Sequence, residues 1–188
     1  MLFCARSNTG RIAAVDKSGK SDIINIKEKF IGGKGEIDIL KLSSKFVNHD
    51  DQLYVNADKI APLDGFSDIV CHGSPNELLI YGLNEEEWSY SAKEAAEIIR
   101  NSNEFDGKPI RLISCSTGNG ENCIAQLIAD ELGVNVLAPN EIVSVDVNGE
   151  IFVSNNDVLI NLWNEASKKE REQIHQTGKW IEFKPRKK

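Results

Sequence analysis

Phe66-Ser-Asp-Ile-Val-Cys-His-Gly73 and Ile110-Arg-Leu-Ile-Ser-Cys115 decide how this chain is read. Each is a short apolar run that stops at a chemically reactive side chain and passes into a glycine-containing loop. Such runs suit strands buried on both faces, as in a parallel sheet. Between them, Glu77-Leu-Leu-Ile-Tyr81 predicts a second strand, which makes residues 72–76 a tight loop. Ser91-Ala-Lys-Glu94 is a capping-box sequence, and Ala92, Ala95, Ala96 and Ile99 then mark one helical face. Past Cys115, a helix is expected from near residue 121, with Ile124, Leu127, Ile128 and Leu132 on one side and Gly133 as its cap. Val134-Asn-Val-Leu137 reads as the next strand. Alternation of this kind predicts right-handed crossovers and an α/β fold, a mainly parallel central sheet flanked by helices, with strands near 66–71, 110–114 and 134–137. Sites in such sheets lie beyond the carboxyl ends of the strands, so His72 and Cys115 are expected at one edge.

Further along, residues 141–147 and 151–153 predict a hairpin turning at Asn148-Gly149. A helix from about Asp157 is expected to turn Leu159, Leu162, Trp163 and Ala166 inward, and Trp180-Ile-Glu-Phe183 forms a last strand. Upstream, residues 1–60 read as a β-rich N-terminal extension, and 61–188 as the α/β unit, the two making one compact body. Residues 11–15 and 22–26 are β-prone, with Lys17-Ser-Gly-Lys20 of turn composition between them, and Leu53-Tyr-Val55 is read as another short strand. The loop Ile31-Gly-Gly-Lys-Gly35 lacks the Lys-Ser/Thr that opens the helix of a phosphate-binding loop.

Composition narrows the classes of function. A chain of 188 residues buries roughly 70% of its unfolded surface, enough for a core of its own. Apolar residues at 40% and charged residues at 27% fit a globular protein rather than a disordered one. No apolar run approaches the ~18 residues of a membrane-spanning helix. Met1-Leu-Phe-Cys-Ala-Arg6 has neither the basic start nor the apolar stretch of a secretory signal, so export would need another carrier. A net charge of −7 argues against a nucleic-acid-binding surface. The tail cations Lys179, Lys184, Arg186, Lys187 and Lys188, set against Glu182, read as a solvated end. Cys4, Cys71, Cys115 and Cys123 are too few and too scattered for a disulfide framework, and three histidines leave few ways to build a zinc site. No metal and no cofactor is expected.

Cysteine catalysis needs a nucleophilic sulfur, an imidazole to take its proton, and donors for the oxyanion. Cys115 at a strand-to-helix turn is expected to have its thiol pKa lowered by the helix N-terminus, with His72 as base or ion-pair partner. The N–H groups of Gly73 and Cys115 are the candidate oxyanion donors. Gly73, Ser74, Asn76, Ser116, Thr117, Gly118 and Asn119 are expected to line the mouth and bind substrate. Cys71 points away from His72 and Cys123 lies within a helix, so both are assigned to the core. His49 and His175 are assigned to the surface.

An apolar strand ending in His-Gly, followed about forty residues later by one ending in Cys, resembles the caspase–gingipain–clostripain group of cysteine peptidases. It also resembles the self-cleaving cysteine-protease domains of large bacterial toxins. Gly107-Lys-Pro-Ile-Arg-Leu-Ile-Ser-Cys-Ser-Thr-Gly118, with Ala125-Gln126, Leu132-Gly133, Ala138-Pro139 and Trp180-Ile-Glu-Phe-Lys-Pro185, resembles C-terminal modules of bacterial polymorphic toxins. The likeness spans about residues 65–185. It implies a caspase-like fold and a thiol hydrolase, a peptidase or a related amide-acting enzyme such as a deamidase, using His72 and Cys115. A protein or peptide substrate, a cognate immunity protein, and delivery as part of a larger secreted toxin go with it; otherwise the protein is cytoplasmic. The competing expectation is a non-enzymatic binding module, or a toxin-inhibiting partner, on the same fold.

Overall fold

The computed structural model describes residues 45–81, 86–102 and 105–186, together with four short strands before residue 45. Those strands form two antiparallel pairs, β1 (Ile12–Val15) with β2 (Ser21–Ile24) and β3 (Lys29–Phe30) with β4 (Glu36–Ile37). β1 and β2 coincide with the two β-prone pieces. The turn at 17–20 and the loop at 31–35 lie outside the described residues.

The body is a mixed α/β unit around a sheet of order β13-β10-β9-β5. Strands β5 (Ser67–Val70), β9 (Ile110–Ile113) and β10 (Val136–Pro139) run parallel, and β13 (Trp180–Phe183) closes one edge antiparallel to β10. Helix α2 (Ala92–Asn101) lies on the connection from β5 to β9, and α3 (Ile124–Leu132) joins β9 to β10. Both steps move the same way across the sheet and both helices pack on the same face, as right-handed crossovers require. Their side chains Ala95, Ile98, Ile99, Ile124, Ala125 and Ile128 form the main core with Ile69, Ile110, Leu112 and Val136. The connection to α2 also carries a small antiparallel sheet of β6 (His72–Gly73), β7 (Leu78–Tyr81) and β8 (Glu87–Tyr90).

The second face of the sheet buries less. Val70 and Ile113 pack there with Val145, beneath α1 (Gln52–Ala57) and the hairpin β11 (Ile142–Val145)–β12 (Ile151–Ser154). Helix α4 (Asp157–Glu165) leans on β12, stacking Trp163 on Phe152 with ring centroids 5.0 Å apart, and the short α5 (Lys168–Arg171) follows. No described helix is long and apolar enough to cross a membrane.

Two expectations change. Leu53-Tyr-Val55, read as a strand, lies inside α1, because Asp51 caps that helix by accepting the Leu53 N–H at 2.7 Å; the cap outweighs the β-leaning side chains. Lys45 bridges Val70 in the parallel sense and the Phe46 N–H donates to the Val70 carbonyl at 2.7 Å, so the chain from residue 45 extends the sheet beyond β5. Leu162, expected inward, is 52% exposed while neighbouring Trp163 is buried, since α4 rests on β12 along one narrow stripe.

Candidate active site

The pairing of β5 with β9 decides which side chains meet. Val70 stands opposite Ile113, and the Cys71 N–H still donates to the Ile113 carbonyl at 3.4 Å. Continuing that register by two residues sets His72 opposite Cys115. Side chains alternate between faces along a strand. Ile69, Leu112 and Cys71 belong to the main core and Val70 and Ile113 to the second face, so His72 and Cys115 fall on the second face, toward α1 and β11.

There they line one cavity of about 490 Å³, together with Asp51, Gln52 and Asn56 from α1 and its cap, Val143 and Ser144 from β11, and Arg171. His72 Nε2 lies 2.8 Å from Asp51 Oδ2. An imidazole that donates through Nε2 to a carboxylate keeps Nδ1 as its acceptor, the form a general base requires. Asp51 therefore does two jobs: Oδ1 caps α1 and Oδ2 holds the histidine. Asn56 fixes the floor by donating to the Val145 carbonyl at 2.7 Å, and Gln52 donates to Asn56 at 2.9 Å.

Cys115 is not at a helix terminus. α3 starts at Ile124, with Cys123 as its cap residue, and the intervening chain turns through a left-handed Ser116 at φ 57°. The expected lowering of its thiol pKa is absent: burial pushes the thiol up, against the smaller opposing effect of the Val143 and Cys115 backbone N–H groups. Its Sγ sits 3.4 Å from the Val143 nitrogen, whose N–H it accepts, and 3.8 Å from the Val143 carbonyl oxygen, to which it donates.

The residues expected to bind substrate are not among those lining this cavity. Thr117 is fully buried and donates to the Ser114 carbonyl at 3.0 Å. Gly118 is pressed against β10, where a Cβ would come within 2.8 Å of the Ala138 carbonyl oxygen. Gly73 is equally confined, with Ser114 Oγ and Thr117 Cγ2 2.5 and 2.9 Å from where a Cβ would stand. The Ser116 N–H is taken by the Glu141 carbonyl, Ser74 Oγ accepts the Asn76 N–H, and Asn76 and Asn119 are exposed. Gly73 and Gly118 thus sit in tightly packed turns outside the cavity that His72 and Cys115 line.

Cys71 and Cys123 are buried, as expected, and burial raises the Cys71 thiol to about 12. His49 and His175 are exposed. Arg186 of the basic tail is already paired, with Asp130 at 2.6 Å and Asn122 at 2.8 Å. Asp51 and the β11 edge were missed from sequence. Asp50-Asp51 ahead of Leu53 carried an N-cap signal, whereas nothing local placed residue 143 beside residue 115.

A thiol, an imidazole and a carboxylate thus gather at the carboxyl ends of two neighbouring parallel strands of an α/β sheet. The chain belongs to the family described as domain of unknown function (DUF8616), whose model matches residues 42–153, more than half of its length. No curated protein and no solved structure matches it. The family match contains Asp51, His72, Cys115 and Val143.

Proposed function

We propose that the protein is a thiol hydrolase of the amide-acting kind, with Cys115 as nucleophile, His72 as general base and Asp51 as the residue that orients it. One observation carries the reading: His72, Cys115 and Asp51 line a single cavity, with the histidine held by the carboxylate at 2.8 Å. Burial keeps the Cys115 thiol protonated at neutral pH, so His72 accepts the proton as the sulfur attacks and no standing ion pair is needed. The His-Gly and Cys strand endings support a caspase-like peptidase lineage, and the longer likeness to polymorphic-toxin modules supports a role as a delivered effector with an immunity protein as its partner. The raised Cys115 thiol also favours a second reading, a binding module on the same fold that has no chemistry.

Mass-spectrometric rates of Cys115 alkylation by iodoacetamide separate the two. Under the hydrolase reading, His72→Ala slows alkylation at pH 7 by at least about 10-fold, a threshold set below the ~100-fold or more that a positioned base typically contributes. Equal rates in the parent and the His72→Ala variant would overturn it. The effector role is read from growth of a host expressing the chain: Cys115→Ser abolishes growth inhibition, and equal inhibition by both would exclude thiol chemistry as its cause.

A further inference from the structure

The backbone N–H of Val143 has no partner in its own hairpin. In β11–β12, Val143 stands opposite Val153. Val153 turns its N–H to Gln176 Oε1 at 3.2 Å and its carbonyl to the Gly178 N–H at 3.0 Å, away from β11. Opposed residues of an antiparallel pair either exchange both bonds or neither. Val143 therefore faces its N–H and carbonyl outward, into the cavity, where both meet Cys115 Sγ at 3.4 and 3.8 Å. Asn56, bonded to the carbonyl of Val145 two residues on, anchors the strand in that position.

We propose that the Val143 N–H is an oxyanion donor for the reaction at Cys115, an inference that rests on the thiol-hydrolase reading. When the sulfur lone pair forms the S–C bond, its proton passes to His72 and the carbonyl π pair moves onto oxygen. That oxygen is bonded to the same carbon as the sulfur, so it forms beside the N–H that the free sulfur now occupies. The N–H stays fixed on a strand and exchanges sulfur for oxyanion without rearrangement. On collapse, the oxygen pair restores the carbonyl, the C–N bond breaks, and the leaving amine takes the proton from His72. Water then hydrolyses the thioester by the same route.

Two reagents acting on one thiol separate this assignment from the reading beneath it. Iodoacetamide is attacked at a saturated carbon and builds no oxyanion; p-nitrophenyl acetate is attacked at a carbonyl and does. Their rate ratio at one pH cancels the thiolate fraction. Val143→Pro removes the N–H at a position where the hairpin ladder does not use it. It should lower the ratio of acylation to alkylation about 100-fold, the usual loss for one oxyanion donor. An unchanged ratio in Val143→Pro overturns the assignment. A parent whose Cys115 resists both reagents overturns the hydrolase reading instead. Should the proline variant fail to fold, the ¹⁵N-labelled parent serves: the Val143 amide proton should move downfield when Cys115 adds to acetaldehyde, and an unmoved resonance overturns the assignment.

Discussion

Asp146→Asn should be the most damaging single-atom change in the hairpin that carries Val143. Asp146 is 5% exposed at the β11–β12 turn. Its Oδ1 accepts the N–H groups of Asn148 and Glu150 at 2.9 and 2.8 Å, and its Oδ2 accepts Asn148 Nδ2 at 3.0 Å and the Arg171 guanidinium. The amide preserves the Oδ1 bonds but turns a donor toward two donors, and leaves Arg171 with Glu150 as its remaining carboxylate, at 3.0 Å. Breaking a buried pair in this way costs about 3 kcal/mol. Arg171→Met should cost less, about 2 kcal/mol, since Asp146 keeps its three hydrogen bonds from Asn148 and Glu150, and the further loss is the donor to the Trp163 carbonyl. The double variant should be more stable than the sum of the singles by over about 1 kcal/mol, because the two act on one contact. Urea titration at constant m-value measures all three. Burial opposes ionisation of Asp146, yet the bonds from Arg171, Glu150 and Asn148 hold its carboxyl below the usual range. Its contribution is therefore present at neutral pH and is lost as pH falls through that lowered value, and Asp146→Asn should flatten this acid limb. A cost under about 1 kcal/mol for Asp146→Asn, typical of an exposed pair, or strict additivity in the double variant, would refute the argument.

Asp51→Asn keeps a good helix cap but no longer holds His72 with a charge, so stability should change by less than about 0.5 kcal/mol while Cys115 reactivity falls; a melt and an alkylation rate on the same sample check both. Gly118→Ala should destabilise by about 1–3 kcal/mol, since its Cβ meets the Ala138 carbonyl at 2.8 Å, measured as a shifted urea midpoint. Cys71, buried and with its thiol raised to about 12, should resist iodoacetamide at pH 8 in the folded protein and react only in denaturant, as peptide mapping would report.

The sequence alone determined the strands β5, β9 and β10, the helices α2 and α3, and the β11–β12 turn, because each is announced by local signals: an apolar run, a capping box, Gly133 after a helix, Asn148-Gly149 between alternating segments. It also placed His72 and Cys115 at one edge, since both directly follow strands that a crossover makes parallel. Where α1 was concerned, propensity misled: Leu53-Tyr-Val55 looks extended, and one side chain, Asp51, reversed it. Only the tertiary structure decided the ionisation of Cys115, because desolvation depends on what α1 and β11 cover and no window of sequence contains both. The same holds for Asp51 on His72, 21 residues away, and for Val143 on Cys115, 28 residues away. Such contacts follow from how the second face of the sheet is roofed, and the roof is assembled from segments on both sides of the strands it covers.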